Sequence, residues 1–182
     1  MARVYRSLGS TLVVLGSYLD IDGQVRVDLR VQNATNGETV ATLTDTGTEA
    51  QIFVLVNRLG TQLRGKCGAS SVSPSQAAAL EASHPANPEA ARLYADGLAR
   101  LRSFDALGAR DLLLKAVAAE PDFALSHAAL GSAWQSLGYQ TKAKEQVQMA
   151  SDLGASLSRE DRLAIQGQSY SLNGQYDKAV ET

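Results

Sequence analysis

Cysteine is nearly absent from this 182-residue chain, and its single copy, Cys67, excludes an internal disulfide framework. With only His84 and His127 beside it, the chain has too few soft ligands for a closed zinc site. No apolar run approaches the roughly 20 residues of a membrane-spanning helix. The opening residues 1–6 lack the apolar core of a signal peptide. We therefore expect no membrane insertion by this chain.

An excess of charge of either sign is also missing. Lys and Arg number 17 against 19 Asp and Glu, for a net charge of -2, so there is no bulk basic field to attract nucleic acid or anionic lipid. Hydrophobic residues make up 45% and charged residues 20%, as in an ordinary globular protein. The expected partners are proteins or peptides, and not nucleic acid.

Catalytic motifs are missing as well. The chain has no kinase glycine loop or catalytic loop, no phosphate loop, no Gly-x-Ser-x-Gly and no His-Glu-x-x-His. For His127, packing or a hydrogen bond is favoured over catalysis, and Cys67 is interpreted as an unreactive thiol. Asp20 and Asp22 flank a turn and are interpreted as turn formers, because a cation site needs more ligands. We expect no enzyme activity, no catalytic residue, no metal and no cofactor.

The second half of the sequence repeats itself. Three pairs of small residues share one spacing: Gly97 and Gly131, Ala109 and Ala143, Ala116 and Ala150. Their spacing matches the period of about 34 residues that is typical of a helix-turn-helix repeat. Three more pairs are spaced two positions wider, as for a third copy with a two-residue insertion between Leu153 and Ser158: Gly131 and Gly167, Gly138 and Gly174, Ala143 and Ala179.

Capping signals divide these repeats into helices. The predicted N-caps are Asn87, which Pro88 follows, Asp105, and Ser158, to which the Asp161 side chain reaches back. Pro121 ends a helix. The predicted helices are 88–101, 106–120, 124–137 and 141–153, followed by a third repeat that stops at Thr182 in its second helix. A truncated repeat exposes the apolar face that its neighbour would cover. We therefore expect either that the repeats continue beyond this chain or that the uncapped C-terminal repeat meets a partner, with self-association as one form of that contact.

The segment 1–66 predicts an antiparallel three-stranded meander and a helix. The strands are 11–20, 24–33 and 38–44, joined by hairpin turns at Asp22-Gly23 and Asn36-Gly37. Thr48 and Gln51 predict a capping box for a helix whose apolar stripe is Ile52, Leu55, Val56, Leu59 and Leu63.

The side-chain patterns of the second and first strands lead to two further expectations. Arg26 and Arg30 share a face with Asp28, which favours a self-neutralising ladder over a nucleic-acid patch. The first strand is apolar on both faces and predicts cover on two sides, so we expect the chain to begin inside a domain. The predicted divisions are a partial α/β domain at 1–68, a linker at 69–87 and repeats at 88–182. The linker contains a short helix (74–83) for which Ser73, followed by a proline, is the predicted N-cap.

The repeat pattern resembles the tetratricopeptide repeat over residues 88–182, through Leu130-Gly131-x-x-Trp134, Gly97, Pro121 and the alanine positions. Arg100 departs from the aromatic expected there, and Ala155 from the expected proline. The resemblance implies an all-α solenoid. Residues 7–64 resemble the TolB-like amino-terminal α/β domain, through the segment 8–18, the alternating stretch 25–31 and the turn segment 35–39. The fold class expected is therefore an α+β N-terminal part joined to an all-α tetratricopeptide solenoid.

The tetratricopeptide resemblance implies a partner-binding groove on the concave face, formed by outward positions of the first helix of each repeat. These positions are Tyr94, Leu98, Leu101, Arg102, Ala128, Ser132, Gln135, Ala164, Gln168 and Ser171. Capture of a terminal carboxylate needs clustered Lys, Arg and Asn, and only Arg102 is present. The lining therefore favours generic protein contact over a carboxylate clamp.

The combined resemblance implies a noncatalytic interaction, scaffolding or sensing module of a bacterial signalling protein. The alternative is the regulatory region of a serine/threonine kinase or nucleotide cyclase whose catalytic domain lies outside this chain. CadC-type membrane-anchored regulators share the arrangement, so the resemblance implies an extracytoplasmic site, with a cytoplasmic one left open.

Overall fold

A computed structural model of the chain describes residues 9–48, 51–69 and 72–181, with the side chain of Phe53 left aside. Contacts between Cα atoms divide the chain into two compact units, Met1–Val72 and Ser73–Thr182. The chain is an α+β protein, in which a three-stranded antiparallel sheet is followed by eight helices among the described residues. The finer division at 1–68, 69–87 and 88–182 stays a prediction.

The sheet is a meander of three strands in the order β1-β2-β3. They are β1 (Leu12–Ile21), β2 (Gln24–Asn33) and β3 (Thr39–Thr48). The β1–β2 hairpin turns at Asp22 and Gly23, which both have positive φ, as the sequence predicted. Leu29 lies opposite Gly16 on one side and Leu43 on the other. The third strand extends four residues past its predicted end.

Helix α1 (Ile52–Lys66) packs on one face of the sheet, mainly against β3. Leu55 and Leu59 are buried against Leu43, as the apolar stripe predicts. The prediction that Val56 is buried is wrong, because α1 packs mainly on β3 and Val56 remains 46% exposed.

The predicted capping box of α1 is also wrong. Thr48 is the last residue of β3, and Gln51 is the N-cap, with no side-chain cap bond. One half of the box remains, since the backbone N–H of Thr48 donates to Oε1 of Gln51 at 3.4 Å. Because β3 extends to Thr48, this residue belongs to the sheet and does not cap the helix.

Strand β1 has little cover within the described residues, although its sequence predicts cover on both faces. Tyr18 on one face and Leu19 on the other are exposed. The expected ladder on β2 is confirmed in part: Arg26 pairs with Asp28 at 3.0 Å, and the Thr44 hydroxyl donates to the same carboxylate at 2.6 Å. These bonds, led by the one from Arg26, hold the pKa of Asp28 below its usual range.

Seven helices and one 3₁₀ turn build the second unit over its described residues. They are α2 (Pro74–Ala82), α3 (Pro88–Arg102), α4 (Ala106–Ala119), α5 (Ala124–Ser136), α6 (Gln140–Leu153), a 3₁₀ turn (Gly154–Ser156), α7 (Arg159–Leu172) and α8 (Tyr176–Glu181). From α3 to α8 each helix packs against the next in sequence. The short connections make neighbours antiparallel.

The caps predicted from sequence are confirmed at four helices. Ser73 forms a full capping box with Gln76, and the side chains of Asn87, Asp105 and Ser158 each accept a bond from the first-turn backbone. The two-residue insertion expected between Leu153 and Ser158 coincides with the 3₁₀ turn.

The repeated glycines mark places where two helices approach closely. A Cβ on Gly97 would lie 2.7 Å from Cγ of Leu113, and one on Gly131 would lie 2.6 Å from Cγ2 of Val147. Leu113 and Val147 occupy equivalent positions of the first and second repeats, so the same contact occurs in both helix pairs. The continuous core of this unit includes both, with Ala109 and Ala143 fully buried.

No helix in the described ranges combines the length and the apolar character needed to cross a membrane.

Candidate partner-binding groove

The ten predicted groove residues lie on α3, α5 and α7, the first helices of the three pairs. Two are exposed, Arg102 and Ala164. Eight are half-buried: Tyr94, Leu98, Leu101, Ala128, Ser132, Gln135, Gln168 and Ser171. The surface is therefore largely packed, and its solvent-accessible part is small and weakly charged.

Three of the four predicted groove residues on α3 pack against the core of the helical unit and are only partly accessible. Leu98 and Leu101 contact the buried core. The Tyr94 ring meets Phe123 edge to face, with ring centroids 5.2 Å apart. Burial raises the pKa of Tyr94, and the nearby Asp161 carboxylate raises it further, since both disfavour a phenolate. Tyr94 therefore remains a neutral phenol over the physiological range.

A hydrogen-bonded clamp joins α5 to α7. Nε2 of Gln168 donates to the carbonyl oxygen of Ala128 at 3.1 Å and to Oγ of Ser132 at 2.9 Å. Ser132 and Gln168 stand at equivalent positions of consecutive repeats, given the insertion between the second and third copies. Three of the ten predicted residues are thus brought together, and their polar atoms bind one another.

The residues that follow α2 contact the first turn of α7. Oδ2 of Asp161 accepts a hydrogen bond from Oγ of Ser83 at 2.7 Å and another from Oγ of Ser158 at 2.8 Å. Ser83 directly follows α2, which contacts the 3₁₀ turn, and Ala82 packs against the core. We call this contact the Ser83–Asp161 lock.

A second carboxylate ties the start of α3 in place. Glu120, at the C-terminal end of α4, accepts backbone hydrogen bonds from Ala86 and Asn87, both at 2.9 Å. Asn87 is also the N-cap of α3. Segment 83–87 is therefore held from two sides, by Asp161 and by Glu120.

His127 is 2% exposed, and both of its ring nitrogens have partners. Nδ1 lies 2.8 Å from Oε1 of Gln146, and Nε2 lies 2.8 Å from the carbonyl oxygen of Pro121. These contacts agree with the packing interpretation. Within the described residues, no group of three or more His, Cys, Asp or Glu is placed to hold a metal ion.

A separate cleft of about 610 Å³ lies beside α7, on a face that contains none of the ten predicted residues. The end of α6 and the 3₁₀ turn form one wall through Ser151 and Gly154, and α7 forms the other through Leu163, Ile165 and Tyr170. The cleft is wide open, and its lining mixes polar and apolar groups, so nothing in it specifies a ligand.

Sequence reasoning missed three residues that shape the groove. Phe123 was not assigned a role, although its place between Pro121 and a helix start is visible in the sequence. Asp161 was expected only as a capping residue of α7. Ser83 carries no local signal, because its partner Asp161 is 78 residues away.

No protein-family model matches the chain, and no curated protein matches it.

Proposed function

We propose that this chain is a noncatalytic interaction module of a bacterial signalling protein, with a TolB-like α/β domain followed by tetratricopeptide repeats. The observation that carries the proposal is a contact that recurs in two consecutive helix pairs. Gly97 packs against Leu113 in the first pair, and Gly131 packs against Val147 in the second. A stack of like pairs leaves its first helices side by side, and such a surface suits an extended or helical partner segment.

The lining favours a neutral partner segment. Gln168 and Ser132 are engaged with each other, so the accessible part of the groove consists of small residues such as Ala164 and of Arg102 at one end. Small side chains let a partner backbone approach closely. The partner would therefore be bound by shape and apolar contact more than by charge.

Selection of displayed random dodecapeptides against the full chain tests this proposal. We expect enriched peptides whose binding is abolished by Ala164→Arg, because the arginine side chain fills the groove from an exposed site. Thr141→Arg, an equal change at an exposed position of α6, is the matched control and leaves binding intact. Failure to enrich any peptide, or binding that survives Ala164→Arg, contradicts the proposal.

The Ser83–Asp161 lock favours the second candidate, a regulatory region of a serine/threonine kinase or nucleotide cyclase. It fastens the segment that enters the repeats, and a fastened entry segment suits a part that relays a change of state. The open reading frame on both sides of these residues tests this candidate. Catalytic kinase or cyclase motifs there would support it, and a reading frame without them would reject it.

A further inference from the structure

The turns inside the three helix pairs, α3–α4, α5–α6 and α7–α8, have the same backbone geometry. In each turn two N–H groups bond back to the last turn of the first helix: from Phe104 and Asp105 after α3, from Gly138 and Tyr139 after α5, from Gly174 and Gln175 after α7. The first residue of each couple is left-handed, with φ of +60° at Phe104, +83° at Gly138 and +72° at Gly174. Helices commonly end this way, usually on glycine.

Phe104 breaks that rule without any evident gain for the fold. A side chain is strained in the left-handed region, and phenylalanine lacks the short polar side chain that lets Asn or Asp tolerate it. Phe104 is also 95% exposed, so the ring contributes almost no burial. A strained, fully exposed aromatic residue at a place suited to glycine points to a contact outside the fold.

Other apolar residues are exposed at the same end of the helix pairs. Leu107 is 56% exposed and Tyr139 is 53% exposed. Both lie within three residues of a left-handed turn position, Phe104 or Gly138. Because the helices alternate in direction, these turns share one edge of the helical unit, which we call the turn edge.

Charge is distributed unevenly between this edge and the opposite one. The first two turns, residues 100–111 and 134–145, carry Arg100, Arg102, Arg110, Lys142 and Lys144 against Asp105, Asp111 and Glu145. The connections at the opposite edge, residues 119–124 and 152–162, carry Glu120, Asp122, Asp152, Glu160 and Asp161 against Arg159 and Arg162. The first two turns have an excess of two positive charges, and the third, residues 170–181, carries Lys178 against Asp177 and Glu181, so the turn edge as a whole has an excess of one positive charge. The opposite edge has an excess of three negative charges.

We infer that the turn edge is a docking surface for an anionic lipid bilayer, with Phe104 and Leu107 entering the interface and Arg102 and Lys142 facing the headgroups. Projecting apolar tips need no complementary pocket in a bilayer, and basic side chains beside them complement anionic headgroups. Single-stranded nucleic acid fits less well, because Leu107 offers no surface on which a base can stack. The contact is peripheral and requires no helix to cross the membrane.

The fluorescence of Trp134 can report binding, because Lys142 lies next to its ring. Its Nζ lies 4.4 Å from the centroid of Trp134, the single tryptophan of the chain, and 5.5 Å from that of Tyr139. Movement of Lys142 towards a headgroup changes the surroundings of the Trp134 ring, which lies beside it.

The experiment is co-sedimentation of the full chain with vesicles of phosphatidylcholine containing roughly one third phosphatidylserine, and with vesicles of phosphatidylcholine alone. We expect binding to the anionic vesicles, a change in Trp134 emission, and weaker binding to the neutral vesicles. Phe104→Gly should weaken binding about tenfold or more, since a buried phenylalanine contributes strongly to transfer from water. The same variant should unfold at an equal or higher temperature, because glycine relieves the strained backbone.

Tyr18→Ala, which removes a 79% exposed aromatic residue from β1, is the matched control and should leave vesicle binding unchanged. Three results would overturn the inference. They are no sedimentation of the unaltered chain with anionic vesicles, equal loss in Tyr18→Ala and Phe104→Gly, and binding to a single-stranded oligonucleotide in place of vesicles. Since Phe104→Gly is expected to keep or raise stability, lost binding cannot be attributed to unfolding.

Discussion

The sheet unit and the helical unit bury their apolar residues in different ways. In the helical unit one core runs from Ala109 to Leu172, and from α3 to α8 each helix packs against the next. In the sheet unit the cluster under α1 consists of Leu43, Leu55 and Leu59, while β1 exposes apolar residues on both faces. Stacked helix pairs cover one another in sequence order, whereas one helix cannot cover a three-stranded sheet. The helical unit should therefore be the more stable of the two.

Removing a core side chain from the helical unit should have the largest effect. Leu113 is fully buried and fills the space left by Gly97, so Leu113→Ala should lower the free energy of unfolding by about 2–5 kcal/mol. The neighbouring Leu114 is 43% exposed, and Leu114→Ala should cost less than about 1 kcal/mol. Urea unfolding followed by circular dichroism measures both. Equal costs would show that the helical unit lacks the tight core described above.

A glycine-to-alanine change should have opposite signs in the two units. Gly131→Ala should destabilise the helical unit by about 1–3 kcal/mol, because the new Cβ collides with Val147. In α1 a Cβ on Gly60 meets nothing within 4 Å, so Gly60→Ala should stabilise the sheet unit by about 0.5–1 kcal/mol. Thermal unfolding of the two variants separates these outcomes. If Val147→Ala fails to restore part of the loss in Gly131→Ala, the close contact is not its cause.

Breaking the Ser83–Asp161 lock should loosen the start of the helical unit. Ser83→Ala removes the hydrogen bond to Asp161 and should cost about 1 kcal/mol. Amide hydrogen exchange should become faster in α2 and segment 83–87 and stay unchanged in α5 and α6. Glu81→Gln, an exposed site near the end of α2, is the control. Protection that is identical in Ser83→Ala and Glu81→Gln would contradict the lock.

Acid should weaken the sheet unit through Asp45, with the smallest effect of the four. Two bonds from Arg58, at 2.8 and 2.9 Å, lower the pKa of Asp45 below its usual range. A carboxylate with a lowered folded-state pKa stabilises the fold above its unfolded pKa of about 3.9. That contribution is lost as the pH falls through the lowered value. The free energy of unfolding of Arg58→Gln should depend less on pH than that of the unaltered chain below about pH 4. An unchanged pH profile would show that the Arg58–Asp45 ion pair does not contribute to stability.

Local signals in the sequence predicted much of the secondary structure. Asp22-Gly23 located a hairpin because a primed turn needs positive φ at both residues. Ser73, Asn87, Asp105 and Ser158 located helix starts, since each cap bonds a backbone group two or three residues away. Such signals depend only on neighbouring residues.

Signals that depend on distant neighbours were misread or missed. Val56 matched the apolar stripe of α1 but is exposed, because α1 packs mainly on β3. Thr48 matched a capping box but joined β3. The partner-binding role of the ten groove residues stays a prediction, although the contact among Ala128, Ser132 and Gln168 is now placed.

The sequence by itself determined the hairpins, the caps and the regular spacing of small residues, because each follows from backbone sterics or from one repeated helix contact. Only the tertiary structure decided that Gln168 binds Ser132, that Ser83 reaches Asp161, and that Phe104 projects into solvent from a left-handed turn. These features join residues far apart or depend on what is absent around a side chain. A local sequence pattern predicts neither a contact between distant residues nor the exposure of a side chain, because both are decided when the helices pack together.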